Sequence, residues 1–82
     1  MTNVEAFAVA KRKATYGPHD HLVWKDRSGE FHTARRSPET LKTALLSVGT
    51  QGRFTVVGGK GVPFTYRWRD GVRMIRNARY GC

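Results

Sequence analysis

The sequence predicts an α+β fold in which two helices accompany an antiparallel sheet of four to five strands, in the order α-β-β-α-β-β-β. Two segments begin with helix-capping residues and end at a glycine. Five short runs are rich in β-branched and aromatic residues, and turns containing glycine separate most of them. Helices set apart from a run of strands are typical of α+β proteins. With 82 residues, the chain is expected to form one small domain spanning residues 1–82.

The first helix is predicted over residues 3–15. Thr2 and Glu5 fit a capping box, in which each side chain bonds the backbone N–H of the other residue. Gly17 and Pro18 end the segment, because proline cannot continue a helix. The same segment also alternates apolar and polar residues near its start, so a strand stays open as an alternative. The apolar stripe expected from helical spacing comprises Val4, Phe7 and Ala8.

Residues 20–36 are predicted to form a hairpin. Its strands are His21–Lys25 and Phe31–Arg35, and Gly29 supplies the left-handed conformation that the turn needs. A further strand is predicted over residues 53–57, followed by a flexible glycine-rich connection.

The second helix has the clearest local signals. Ser37 is an N-cap, Pro38 occupies the first helical position and Gly49 ends the helix. The apolar stripe expected to pack on the sheet comprises Leu41, Ala44, Leu45 and Val48.

The last element is predicted as a second hairpin, from Phe64 to Tyr80. A three-residue turn at Arg69-Asp70-Gly71 gives the register that best separates apolar from polar side chains. In that register one face carries Phe64, Tyr66, Trp68, Val72, Met74 and Ala78. The other face carries Arg67, Arg73 and Arg79, with Arg69 at the tip. Arg76 alone falls on the wrong face.

The chain is strongly basic, with 15 Lys and Arg against six Asp and Glu and a net charge of +9. Such an excess attracts phosphate-bearing partners, and the planar fork of arginine suits phosphate. The competing interpretation is a charged surface that only keeps the protein soluble and protects sheet edges. The residues expected to contact nucleic acid or another polyanion are Arg67, Arg69, Arg73, Arg79, Arg76, Lys60, Arg53, Lys11, Arg12 and Lys13.

Three functions fit this sequence. The leading hypothesis is a non-catalytic protein that binds DNA or RNA mainly through phosphate contacts from the arginine-rich C-terminal hairpin. The first alternative is a small inhibitor or adaptor of the phage or mobile-element type, anti-CRISPR-like in size and style, which binds an acidic surface of a host protein complex. The third is a small ribonuclease, because an acid/base pair and arginines that hold the charge suffice for phosphodiester cleavage. The candidate residues are His19, His21 or His32 with Arg67 or Arg73.

No cofactor, metal or membrane partner is expected. Zinc needs three or four convergent ligands, and His19, His21 and His32 have only the terminal Cys82 as a further soft ligand. A lone cysteine cannot form an internal disulfide, and neither a signal peptide nor an apolar run of membrane-spanning length is recognisable. These features favour a cytoplasmic protein. The sequence predicts no particular oligomeric state.

Overall fold

The computed structural model describes the backbone of residues 1–80 and the side chains of residues 1–77. It confirms the α+β class with an antiparallel sheet. Within residues 1–80, no helix combines the length and the apolar character needed to cross a membrane. In chain order the elements are α1 (Asn3–Tyr16), β1 (His21–Lys25), β2 (Phe31–Arg35), α2 (Pro38–Val48), β3 (Arg53–Val57), β4 (Pro63–Arg67) and α3 (Trp68–Tyr80).

The four strands lie in the order β2-β1-β3-β4, and each neighbouring pair is antiparallel. The two central strands are buried over four of their five residues. Their exposed residues are Lys25, which ends β1, and Arg53, which begins β3. Trp24 pairs with Phe54 in the antiparallel ladder. Lys25, one residue after Trp24, and Arg53, one residue before Phe54, therefore lie at the same end of the sheet.

Helix α1 covers one face of the sheet. Thr2 and Glu5 form the predicted capping box, and the helix extends to Tyr16. The predicted apolar stripe is only partly correct: Phe7 packs against the core on this face, whereas Val4 is 79% exposed and Ala8 is exposed as well. The buried stripe consists of alanines four residues apart, whose small side chains bring the helix close to the sheet. It comprises Ala6, Ala10 and Ala14, which pack with Val23 and Val57.

Helix α2 covers the opposite face and begins as the sequence predicts. The Ser37 side chain accepts a hydrogen bond from the Thr40 N–H, Pro38 opens the helix and Gly49 follows its end. Of the predicted stripe, three residues are fully buried and Val48 is partly buried. The core on this face comprises Leu22, Trp24, Leu41, Ala44, Leu45, Phe54 and Val56.

The predicted second hairpin is wrong, and the order is therefore α-β-β-α-β-β-α, with three helices. Only β4 is a strand, and the chain enters α3 directly at Trp68. The apolar residues of this segment suit a helix as well as a strand. Trp68, Val72 and Ile75 are spaced i, i+4, i+7 and pack against the core. Arg76, which fits neither face of a hairpin cleanly, has the helical spacing of the other arginines.

Asp70 and Gly71 serve the helix rather than a turn. The Asp70 carboxylate accepts a hydrogen bond from the Arg67 N–H at 3.1 Å, so one free donor at the helix start is satisfied. Gly71 is buried, and a Cβ there would lie 2.6 Å from Leu45 Cδ2 and 2.9 Å from Phe54 Cε1. The absence of a side chain at Gly71 lets α3 pack directly against α2 and β3.

Candidate polyanion-binding cleft

Two arginines face each other at one end of the sheet. Arg53 begins β3, Arg67 ends β4, and the two are direct partners in the antiparallel pair. Both are exposed, and neither forms an ion pair with a carboxylate among the described side chains. Like charges directly opposite each other destabilise a sheet. A bound anion would relieve this repulsion.

A cleft of about 820 Å³ opens beside the arginine pair. One wall is the loop between α2 and β3, and the other is the end of β4 with the first turns of α3. Four of the lining residues are arginines and one is acidic. The lining comprises Thr50, Gln51, Gly52, Arg53, Arg67, Trp68, Arg69, Asp70 and Arg73. We refer to it as the arginine cleft.

The single acid of the arginine cleft is held by the backbone. Asp70 lies in the first turn of α3, where a negative charge is favourable, and its carboxylate accepts the hydrogen bond from the Arg67 N–H. Its carboxylate lies within 4 Å of no guanidinium nitrogen among the described side chains. The four guanidinium groups of the cleft therefore remain available to a ligand.

Three arginines continue the positive surface along α3. Arg69, Arg73 and Arg76 are spaced i, i+4, i+7, so they share one face of the helix, and all three are exposed. Like charges at i, i+4 destabilise a helix. No acidic residue lies on this face, which is opposite the apolar packing face. We call these three residues the arginine stripe.

A shallower groove of about 340 Å³ adjoins the arginine cleft on its other side. Gly52 and Arg53 line both depressions, and the groove adds two cations, Lys25 and Arg27, together with the acid Asp26. Sequence reasoning missed these two cations, because they belong to the first hairpin. Only the pairing of β1 with β3 brings them beside Arg53, and nothing local in the sequence encodes that pairing.

The structure divides the predicted contact residues into two groups. Arg53, Arg67, Arg69, Arg73 and Arg76 lie at the arginine cleft or on the stripe that continues from it. The predicted contact Arg79 lies outside the residues whose side chains are described.

The second group lies near the opposite end of β3. The β3–β4 turn, which contains Lys60, packs against α1, since a Cβ on Gly61 would lie 3.2 Å from Thr15 Oγ1 and 4.0 Å from Lys11 Cβ. The five residues of β3 separate this turn from Arg53 by roughly 14 Å. The members of this group, all exposed and none lining the arginine cleft, are Lys11, Arg12, Lys13 and Lys60.

The three histidines do not converge. His21 pairs with Arg35 at one end of the first hairpin, whereas His32 pairs with Trp24 near the other end. The His21 ring nitrogen Nδ1 lies 3.2 Å from the carbonyl oxygen of His19. None of the three lines the arginine cleft.

Asp26 organises the turn of the first hairpin. Its carboxylate accepts hydrogen bonds from the Ser28 hydroxyl at 2.6 Å and from the backbone N–H groups of Ser28 and Glu30 at 2.9 and 3.0 Å. The hydrogen bond with His32 at 2.7 Å, followed by those from Ser28, holds the pKa of Asp26 well below its usual range. Ligand atoms of Asp26, Glu30 and His32 lie within 4.8 Å of one another. The hydrogen bond between Asp26 and His32 and the ion pair of Glu30 with the N-terminal ammonium of Met1, at 3.4 Å, account for this grouping.

Comparisons with protein-family models, with curated proteins and with solved structures find no match for this chain. The functional conclusion therefore rests on the geometry and charge of the arginine cleft.

Proposed function

We propose that this chain is a non-catalytic basic protein that binds nucleic acid, or a similar polyanion, mainly through phosphate contacts in the arginine cleft. The observation that supports this most strongly is the direct pairing of Arg53 with Arg67 beside two further arginines of the same cleft. Arg53 and Arg67 repel each other across the sheet, and a bound anion between the guanidinium groups of the cleft would remove this cost.

The chemistry of the lining favours phosphate. Arginine donates two parallel N–H bonds to two oxygens of one phosphate, and such charge-assisted bonds are stronger than neutral ones. Thr50 and Gln51 add a hydroxyl and an amide donor on the facing wall. These groups are the usual contacts that position a protein on a phosphate backbone.

The extent of the positive surface favours a chain of phosphates over a single small anion. Lys25 and Arg27 lie on one side of Arg53, and the arginine stripe continues on the other side. The cations therefore follow a path across one end of the sheet and along α3. Each phosphate neutralised along such a path releases counterions, which makes the affinity high at low salt.

The proposal places the protein in the cytoplasm, where nucleic acid is accessible to it, and assigns it no catalytic step. The histidines that would serve a ribonuclease do not line the arginine cleft. The interpretation as an inhibitor of an acidic protein surface differs in its ligand, since carboxylates would then replace phosphates.

A binding assay with charge-matched variants tests the proposal. Fluorescence anisotropy measures the affinity for a labelled 20-nucleotide single strand and a 20-base-pair duplex at about 50 mM salt. We expect Arg53→Gln/Arg67→Gln to weaken binding by about 10- to 100-fold. The control Arg12→Gln/Lys13→Gln removes the same charge from α1, and we expect a much smaller loss.

Three outcomes contradict the proposal. The first is that the wild-type protein binds neither nucleic acid at this salt concentration. The second is that the α1 variant loses as much affinity as the cleft variant. A partner that the protein retains from a nuclease-treated lysate, together with no binding to purified nucleic acid, would favour the acidic-protein alternative.

A further inference from the structure

We infer that α3 enters the major groove of duplex DNA and reads base edges with Arg73, Arg76 and Asn77. This inference rests on the proposed function, because phosphate contacts from Arg53, Arg67 and Arg69 of the arginine cleft would hold the helix in place. It assigns Arg73, which also lines the cleft, to the bases instead of the phosphates. It goes beyond that proposal by assigning a nucleic-acid class, a groove and three base-reading residues.

The position of α3 in the fold makes it available to a groove. It packs on α2 and on β4, and β4 is an edge strand, so α3 lies at a border of the helical layer. Helix α1 covers the opposite face of the sheet and leaves α3 uncovered. The major groove of B-form DNA, about 12 Å wide, admits one α-helix.

The side chains that α3 exposes are those that read bases. Arginine forms two hydrogen bonds with guanine O6 and N7, and asparagine forms two with adenine N6 and N7. Arg73, Arg76 and Asn77 are all exposed and lie within about one turn of one another.

The spacing of these residues fits successive base pairs. Arg73 and Asn77 are separated by about 6 Å along the helix axis, at a rise of about 1.5 Å per residue. That distance is close to two base-pair steps of about 3.4 Å. The three side chains therefore reach two or three neighbouring base pairs.

The arginine cleft lies where a groove-bound helix requires phosphate contacts. Arg53 and Arg67 are beside the N-terminal end of α3, and this end of a helix attracts anions. Close packing around Gly71 places α3 against Leu45 and Phe54, and its arginine stripe faces away from the core. The phosphates would position the helix, and its second and third turns would supply the base contacts.

Selection from a pool of duplexes with randomised bases tests the inference with the intact protein. We expect enriched sequences to share a preferred core of two or three base pairs that includes guanine. Arg73→Lys and Arg76→Lys keep the charge but lose the paired hydrogen bonds. Each should reduce discrimination at one position by about 5- to 150-fold while the salt dependence of binding stays unchanged. Asn77→Ala should do the same at an adenine.

Matched controls separate this inference from phosphate binding itself. Arg53→Lys keeps the charge of a residue assigned to phosphate, and we expect it to leave the base preference intact. An RNA duplex of the enriched sequence should bind more weakly than the DNA duplex, because the A-form major groove is too narrow for side chains to read.

The outcomes are distinguishable. A selection that returns no preferred bases, or a preference that survives Arg73→Lys and Arg76→Lys together, overturns the inference and leaves the proposed phosphate binding intact. Equal affinity for the RNA duplex and the DNA duplex overturns it as well. Absence of binding to any nucleic acid at about 50 mM salt overturns both proposals.

Discussion

Arg53 and Arg67 are direct partners across the antiparallel strands β3 and β4, so two positive charges face each other at the mouth of one cleft. The chain folds with this pair despite its repulsion, and the described residues offer neither arginine an acidic partner. An arrangement that weakens the free protein and suits an anion is typical of a binding site, where function outweighs stability.

Removing one member of the pair is predicted to stabilise the protein. Arg53→Gln abolishes the repulsion with Arg67, and we expect the free energy of unfolding to rise by about 0.2–1 kcal/mol. Urea denaturation at low salt measures the change, which should shrink at high salt because exposed charges are screened. Arg12→Gln serves as the control for loss of one exposed charge. A loss of stability in Arg53→Gln relative to that control contradicts the interpretation of the pair.

Neutralising the one acid of the arginine cleft is predicted to strengthen binding. Asp70→Asn removes a negative charge beside the phosphates, while its amide oxygen can still accept the Arg67 N–H bond. We expect about two- to fivefold tighter binding of duplex DNA in the anisotropy assay. Glu39→Gln removes the same charge from the first turn of α2 and should change affinity much less. Equal effects of the two substitutions would argue against a ligand in the cleft.

A side chain at Gly71 is predicted to destabilise the fold. Alanine is normally better than glycine in a helix, by about 1 kcal/mol. Here its Cβ would lie closer to Leu45 and Phe54 than ordinary contact allows, and overpacking of a core costs about 1–3 kcal/mol. We expect Gly71→Ala to lower the free energy of unfolding by about 1 kcal/mol.

The Gly71 prediction has an internal control. In the double variant Gly71→Ala/Leu45→Ala the clash with Leu45 is relieved and only the close contact with Phe54 remains, so the combined loss of stability should be smaller than the sum of the two single losses. Additive losses, or a Gly71→Ala protein more stable than wild type, would contradict the close packing of α3 on α2.

Acid is predicted to weaken the first hairpin through Asp26. Its pKa is lowered in the folded protein by His32 and Ser28, whereas in the unfolded chain it lies near its ordinary value of about 3.9. The unfolded state therefore binds more protons, so this contribution to stability is complete above about pH 5 and is lost as the pH falls below about 4. Urea denaturation from pH 6 to pH 2.5 should show a shallower acid loss in Asp26→Asn. Identical pH profiles would contradict the prediction.

Local signals in the sequence were sufficient to predict six of the seven elements of the fold. Ser37, Pro38 and Gly49 define α2, and the capping box at Thr2 defines the start of α1. These motifs act on backbone groups a few residues away, so they can be recognised without tertiary information. The first hairpin also forms between the two predicted strands, around the turn at Gly29.

The predicted second hairpin is wrong because its sequence fits both the two-residue period of a strand and the helical period of about 3.6 residues. Residues 64–80 alternate well enough to suggest a hairpin, and Asp70-Gly71 resembles its turn. The decision in favour of a helix depends on tertiary packing, namely the space that Gly71 leaves for Leu45 and Phe54. The misfit of Arg76 was the local sign of helical spacing.

The candidate site was partly predictable for a related reason. Arg53, Arg67, Arg69 and Arg73 were expected to act together, and the structure brings them to one cleft. Lys25 and Arg27 could not be assigned to it, because they join it only through the strand order β2-β1-β3-β4. The sequence assigns Lys11 and Lys60 to the same site as the arginines by their charge alone. In the structure, the length of β3 separates both lysines from the arginine cleft.

The salt dependence of DNA binding tests the central claim most directly. For duplex DNA, the logarithm of the binding constant falls with the logarithm of salt concentration, with a slope of about −0.9 per phosphate neutralised. If Arg53 and Arg67 each neutralise one phosphate, Arg53→Gln/Arg67→Gln should reduce the steepness of that slope by about 1.8. Arg12→Gln/Lys13→Gln should leave it nearly unchanged. A slope that is the same in the cleft variant and the wild-type protein would contradict phosphate binding by the arginine cleft.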